Sequence, residues 1–204
     1  MKVLAEIPPR PSPELRTGTL RRADLEAFGG VLRELGGARA VLLTGVASLR
    51  RETSAGLAAA GAAGGMRTAL LECDLVEPGL ADALGLARAP GLHEYLRGTV
   101  VAEDILKPVV LAGPGSAEAT EPLVCVVAGR PSAEGPRLLA SDAFARALSG
   151  LRAAYDLVVI DGPPLRDEQS LRPLLTLADS TIACLGPSDS RSLPISVSGL
   201  VIHA

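Results

Sequence analysis

Three carboxylates stand where an apolar run meets a turn: Glu72 and Asp74 in TALLECD (Thr68–Asp74), and Asp161 in DLVVIDGPP (Asp156–Pro164). A third run, AVLLTG (Ala40–Gly45), ends in Thr44–Gly45 ahead of a helix-compatible segment. Acids at strand ends beside a strand–turn–helix unit suit magnesium–nucleotide chemistry. Magnesium takes hard oxygen ligands and keeps several waters, so one or two acidic side chains are enough. A phosphate needs backbone N–H groups at a helix start, and the chain supplies this only in part. A single strand-end acid commonly caps a helix or stays solvated, whereas three at matching strand ends point to a site.

The elements that must position these acids are readable from hydrophobic patterning. Residues 1–19 read as an extended linker around the proline-rich IPPRPSP (Ile7–Pro13), and residues 20–204 as one α/β domain. Helical spacing runs through Leu20, Leu25, Phe28, Leu32 and Leu35, and Gly36–Gly37 provides a stop. AVLLTG is a strand, Ser54–Gly65 an Ala-rich helix and Thr68–Asp74 a second strand. Short helices are expected over Gly79–Gly85, Leu92–Gly98 and Val101–Leu106. Pro108–Ala112 and Leu123–Gly129 read as strands, Pro136–Ala154 as a helix, and Asp156–Pro164 as the strongest strand of the chain. Leu171–Leu177 and Ser180–Gly186 follow as helix and strand, and the terminal SGLVIHA as a last strand. Continuously apolar strands alternating with helices indicate a doubly wound, mostly parallel sheet with helices on both faces. Ligands in such folds bind beyond the carboxyl ends of the strands.

Composition removes several kinds of function. Of 204 residues, 20 are basic, yet only Lys2 and Lys107 are lysines, so any lysine chemistry is confined to two positions. Aromatics make up 2% and the net charge is −3, which leaves neither a stacking surface nor a basic footprint for nucleic acid. Cys73, Cys125 and Cys184 are odd in number, widely spaced and set in apolar runs, which fits buried thiols in a reducing compartment. With no signal peptide and no apolar stretch of bilayer-spanning length, the expected location is cytoplasmic.

The acidic segments resemble a known family. TALLECDLVEPGLADALGL with APGLHEYLRGTVVAEDIL resembles the second acidic motif and downstream helix of bacterial tyrosine kinases (BY-kinases), the P-loop kinases of capsular and exopolysaccharide synthesis. YDLVVIDGPPL (Tyr155–Leu165) resembles their Walker B strand, and LVCVVAGRPSAEGPRLLASDAFARALSGLRAAYD the segment between. Ala5–Pro8 is similar to the short segment preceding the kinase, and Glu26-Ala27-Phe28 to the start of its first helix. The resemblance runs from about Val3 to Gly186 and implies a P-loop NTPase fold of the partitioning-ATPase class. Carried over by position, Asp74 and Asp161 match acids that hold magnesium, and Glu72 stands where the family has the aspartate that activates the attacking hydroxyl. The implied cofactor is Mg-ATP or Mg-ADP, weakly bound or lost. The implied partners are a membrane chain-length regulator of polysaccharide synthesis and further copies of the chain, at the inner face of the membrane.

The pattern breaks at the phosphate loop. TGVASLRRETSAGLAAA (Thr44–Ala60) keeps Gly45 but has no Gly-Lys-Ser/Thr. The lysine position falls on Arg50 or Arg51, with Thr53 and Ser54 near the hydroxyl position. An arginine is not equivalent to a lysine there, being bulkier and forked. The family's Glu-x-x-Arg-x-x-Arg ring motif is reduced to Glu26 followed by Gly29 and Leu32, with Arg33 one position late, and no tyrosine follows Tyr155. The expected function is a tyrosine-kinase-like domain of polysaccharide assembly with impaired ATP hydrolysis, acting as a binding or regulatory partner. Two alternatives stand beside it. One is an active Mg-ATP-dependent ATPase or tyrosine kinase with Arg50 or Arg51 as phosphate anchor. The other is a relative of partitioning or septum-positioning ATPases.

Overall fold

The computed structural model describes residues 2–7, 22–109, 123–189 and 193–203. Eight strands form one sheet: β1 (Val3–Ile7), β2 (Ala40–Gly45), β3 (Thr68–Glu72), β4 (Lys107–Val109), β5 (Leu123–Val126), β6 (Leu157–Asp161), β7 (Ser180–Leu185) and β8 (Gly199–His203). Their spatial order is β1-β8-β7-β2-β6-β3-β5-β4, and every pairing is parallel except β4 with β5. The doubly wound expectation therefore holds, with one antiparallel edge strand. Val3–Ile7, which the sequence placed in the linker, is the other edge strand and pairs with β8. Most of IPPRPSP, and the part of Pro108–Ala112 beyond Val109, lie outside the described residues.

Helices cover both faces. Along β2, Val41 and Leu43 face a core built with Phe28 and Val31 of α1 (Arg22–Glu34) and Leu57 and Ala58 of α2 (Ala47–Ala63). Ala40 and Leu42 face the opposite core, which holds Leu138 and Leu139 of α6 (Gly135–Leu139), Phe144 and Leu148 of α7 (Asp142–Ala154), and Leu171 and Leu174 of α8 (Glu168–Leu177). Strands buried on both sides are why these runs are apolar without alternation. Three short helices, α3 (Leu80–Leu84), α4 (Leu92–Leu96) and α5 (Ala102–Ile105), lie between β3 and β4.

Two differences from the sequence reading have local causes. The expected helix over Pro136–Ala154 is two helices, because Ser141 caps the second by accepting from the Phe144 N–H at 3.3 Å. The Ala-rich helix expected from Ser54 begins at Ala47, so that Val46 alone separates β2 from α2. Residues read as a phosphate loop are the first two turns of that helix. From Thr53 to Ala62 every residue of α2 is buried, which explains its Ala and Gly content: a helix enclosed on most sides must be apolar or small nearly all round.

The closeness of α1 to α2 depends on Gly56. A Cβ there would sit 2.1 Å from Cε2 of Phe28, whose ring is fully buried. Gly56→Ala is expected to destabilise the fold by about 1–3 kcal/mol, read by denaturant unfolding. At the opposite end of the sheet Arg67 binds Asp156 through its N–H (3.0 Å), Nε (3.2 Å) and Nη2 (2.8 Å). These hydrogen bonds hold the Asp156 carboxyl at about 2, below its ordinary 3.8. A depressed acid stabilises the fold above its unfolded value and loses that contribution as pH falls through the folded one. The stability difference between the native chain and Asp156→Asn should therefore be constant at neutral pH and shrink between 3.8 and about 2.

Candidate functional site

The carboxyl ends of β2, β3 and β6 meet at one place, as the parallel order requires. Leu43 pairs with Asp161, and Glu72 with Asp161, so Glu72 and Asp161 are lateral neighbours. Pleating puts Asp161 on the same side as Leu157 and Val159, the side that α2 covers. Thr44 Oγ1 donates to the Pro163 carbonyl at 2.8 Å, and the Gly162 N–H to the Leu43 carbonyl at 2.9 Å, which fixes the turn after β6 against the end of β2. Gly45 has a φ of 119°, and a Cβ there would lie 2.2 Å from the Cys184 carbonyl oxygen, so glycine is required at that turn.

Arg50, in the first turns of α2, reaches inward rather than towards solvent. Its side chain is fully buried; Nε donates to Asp161 Oδ1 at 2.7 Å and Nη2 to Asp74 Oδ2 at 3.0 Å. Ser54 Oγ, one turn on, donates to the same Asp161 oxygen at 3.2 Å. The second Asp74 oxygen accepts the Glu77 N–H at 3.0 Å. Burial on its own would lower the Arg50 pKa, but Asp161 and Asp74 outweigh it and hold the guanidinium above its ordinary value. Burial raises the Asp161 carboxyl, with Arg50 pulling the other way. Arg50 Nη1 and Asp161 Oδ2 are buried without a hydrogen-bond partner.

Glu72 has a different environment. Its Oε1 accepts the Gly79 and Leu80 N–H groups at 2.6 and 2.7 Å, at the start of α3, and its Oε2 accepts the Ala128 N–H at 2.9 Å. Burial and the Asp161 charge raise its pKa against these three donors. Both oxygens are engaged by backbone, so Glu72 joins the β3–α3 turn to the end of β5. The extra methylene relative to aspartate gives it that reach.

The remaining candidates disperse. Arg51 donates from Nη2 to the Glu77 carbonyl at 3.0 Å and packs over Gly79. Thr53 Oγ1 donates to the Leu49 carbonyl one turn back and meets His203 Nε2, each at 2.8 Å. The adjoining cleft, about 430 Å³, is lined by Gly45, Val46 and Ala47, by Asp74, Glu77 and Asp189, and by Arg166 and its neighbours. Of the sequence-named residues, Gly45 and Asp74 line it; Arg50, Arg51, Thr53 and Ser54 do not. Glu77, Arg166 and Asp189 were missed by sequence reasoning. They sit in loops without periodicity, and the one signal was the position of Arg166 just after the DGPPL segment.

In this arrangement the Arg50 guanidinium fills the space between Asp161 and Asp74, where it would repel a second cation. Among the described residues the cleft presents three carboxylates and one guanidinium, that of Arg166, which is bound to Glu77 at 3.2 Å. No loop stands between β2 and α2 to surround phosphates. Among the described residues no group of three or more His, Cys, Asp or Glu is placed to hold a metal ion. Glu72→Gln should destabilise the chain by about 1–3 kcal/mol in urea unfolding at neutral pH, because an amide opposes one of the three N–H donors. An unchanged midpoint would show a carboxylate with no structural duty.

No family model matches the chain, and no curated protein matches its sequence. Solved structures do match. The BceF tyrosine kinase domain is 20% identical with a TM-score of 0.78, covering 100% of this chain and 93% of that one. The kinase domain of the Escherichia coli tyrosine kinase ETK is 15% identical with a TM-score of 0.79, covering 100% and 90%. The septum site-determining protein MinD from Pyrococcus horikoshii, complexed with Mg-ADP, is 19% identical with a TM-score of 0.57, covering 74% and 58%. The chain thus has the fold of bacterial tyrosine kinase domains, a fold that it shares more distantly with the Mg-ADP-bound septum site-determining protein.

Proposed function

We propose that the chain is a tyrosine-kinase-like domain of capsular or exopolysaccharide biosynthesis that acts as a binding or regulatory partner and does not turn over ATP. The observation that carries this reading is the passage from β2 into α2 through Val46 alone. A phosphate-binding loop works by wrapping successive backbone N–H groups around the anion. Here those residues form α2, and the two arginines at the expected lysine position, Arg50 and Arg51, point to Asp161, Asp74 and the Glu77 carbonyl. The acidic lining of the cleft works against a triphosphate in the same direction.

The partner that suits the resemblance is a membrane chain-length regulator of polysaccharide synthesis, which would bring the domain to the inner face of the membrane. Among the described residues no helix is long and apolar enough to cross a membrane. Assembly into rings by the family's motif is disfavoured, since Gly29 and Leu32 replace two arginines.

Calorimetric titration with Mg-ATP and Mg-ADP, paired with a phosphate-release assay, tests this reading. The expected outcome is no saturable binding below millimolar nucleotide and no release above that of Asp161→Ala. Micromolar binding with turnover abolished by Asp161→Ala would overturn it in favour of an active enzyme.

A further inference from the structure

We infer that the Arg50 guanidinium stands in the place of a divalent cation between Asp74 and Asp161, and that the domain therefore carries a latent divalent site which one substitution opens. The inference rests on the kinase-like reading proposed above, since it is the resemblance that matches these two acids to magnesium-holding positions. Its own support is the geometry of the cluster.

Two carboxylates from the ends of different strands converge on one buried group, with Asp161 fully buried and Asp74 2% exposed. The donors facing that group are all oxygens: Asp161 Oδ1, Asp74 Oδ2 and, one turn along α2, Ser54 Oγ beside Asp161. This set is hard and acidic, and a divalent ion takes such ligands together with water. Asp161 Oδ2 has no hydrogen-bond partner although it is buried. A guanidinium at this angle satisfies one oxygen of each acid and leaves that one over. Arg50 Nη1 is likewise buried and unpartnered, so the fork fits the pocket less completely than a paired arginine normally does. Glu72, next to Asp161 across the β3–β6 pairing, adds a third buried carboxyl within the same field. The guanidinium brings one positive charge to the two carboxylates it touches, and a doubly charged ion would balance that pair.

The position of Arg50 follows from the short β2–α2 connection. With the β2–α2 connection reduced to Val46, the second turn of α2 lies directly over the ends of β3 and β6. A long side chain at position 50 then has nowhere to go but between the acids. The cation is covalently part of the chain, so the cluster needs no exchangeable ion. Removing it leaves like charges buried together, which is strongly unfavourable unless another cation enters.

The test uses Arg50→Ser and Arg50→Ser/Asp161→Asn with Mn²⁺ as the probe and no nucleotide present. Binding is read from loss of the free-ion paramagnetic resonance signal and from thermal unfolding. Arg50→Ser is expected to melt below the native chain without metal, to rise with added Mn²⁺, and to bind one ion saturably. The native chain and the double variant should bind about tenfold more weakly or worse. A folded Arg50→Ser with no saturable binding overturns the inference, as does equal binding by the native chain. If Arg50→Ser does not fold alone, refolding from urea with millimolar Mn²⁺ decides the matter. Recovery of native circular dichroism only with the ion supports the inference, and failure with and without it overturns it. Nucleotide binding by the native chain bears on the proposed function, whereas Mn²⁺ binding by Arg50→Ser bears on this inference, so the two can fail separately.

Discussion

The buried guanidinium of Arg50 is the constraint around which the sheet end is organised. A charge removed from water is tolerated only with close partners of opposite sign and further hydrogen bonds. Asp161 at 2.7 Å and Asp74 at 3.0 Å meet that condition, and they in turn could not lie together in the core without it. The pair therefore fixes the rotation of α2 about its axis, the reach of the β3–α3 turn and the end of β6 together. Such a cluster contributes more to the uniqueness of this arrangement than a group of leucines would, since each member is costly when misplaced.

For Arg50 to reach the acids, α2 must lie close to the sheet along its length. Small residues provide this. Gly56 gives way to Phe28 of α1, and Gly61 to Leu157 and Thr68 on the sheet side. The bulk comes from the neighbours, whose side chains fill the space over a helix almost without projections. At the start of the helix, Gly45 lets the chain pass against the Cys184 carbonyl and turn upward within one residue. Close packing and the abrupt strand-to-helix passage belong to the same solution, and that solution leaves no room for a loop.

A shared fold does not carry an activity with it; the activity belongs to the site built upon the fold. Structures similar to this one include tyrosine kinase domains and, over 74% of the chain, a Mg-ADP-bound septum site-determining protein. In this chain carboxylates stand at the ends of β3 and β6, and a single residue joins β2 to α2. A carboxylate at a strand end, expected to serve chemistry, instead accepts three backbone N–H groups and holds two turns together. The reading of strand-end acids as helix caps describes Glu72, whereas Asp74 and Asp161 form an ion-paired centre.

Sequence alone determined the parallel α/β class, because strands buried on both faces must be apolar throughout, and that pattern is visible in AVLLTG, TALLE and DLVVID. It also indicated that the strand-end acids would come together, since polar residues ending such strands converge wherever the strands run parallel. The absence of lysine near Gly45 was equally plain. What only the tertiary structure decided was the direction of individual side chains. Residues 47–53 combine polar, charged and small side chains that suit either a loop or a helix, and the choice was made by the sheet and α1 enclosing α2. Nor does a sequence state whether an arginine beside Gly45 faces a ligand outside or carboxylates within. That depends on which neighbours can neutralise it in three dimensions, and Asp74 and Asp161 lie 24 and 111 residues away along the chain.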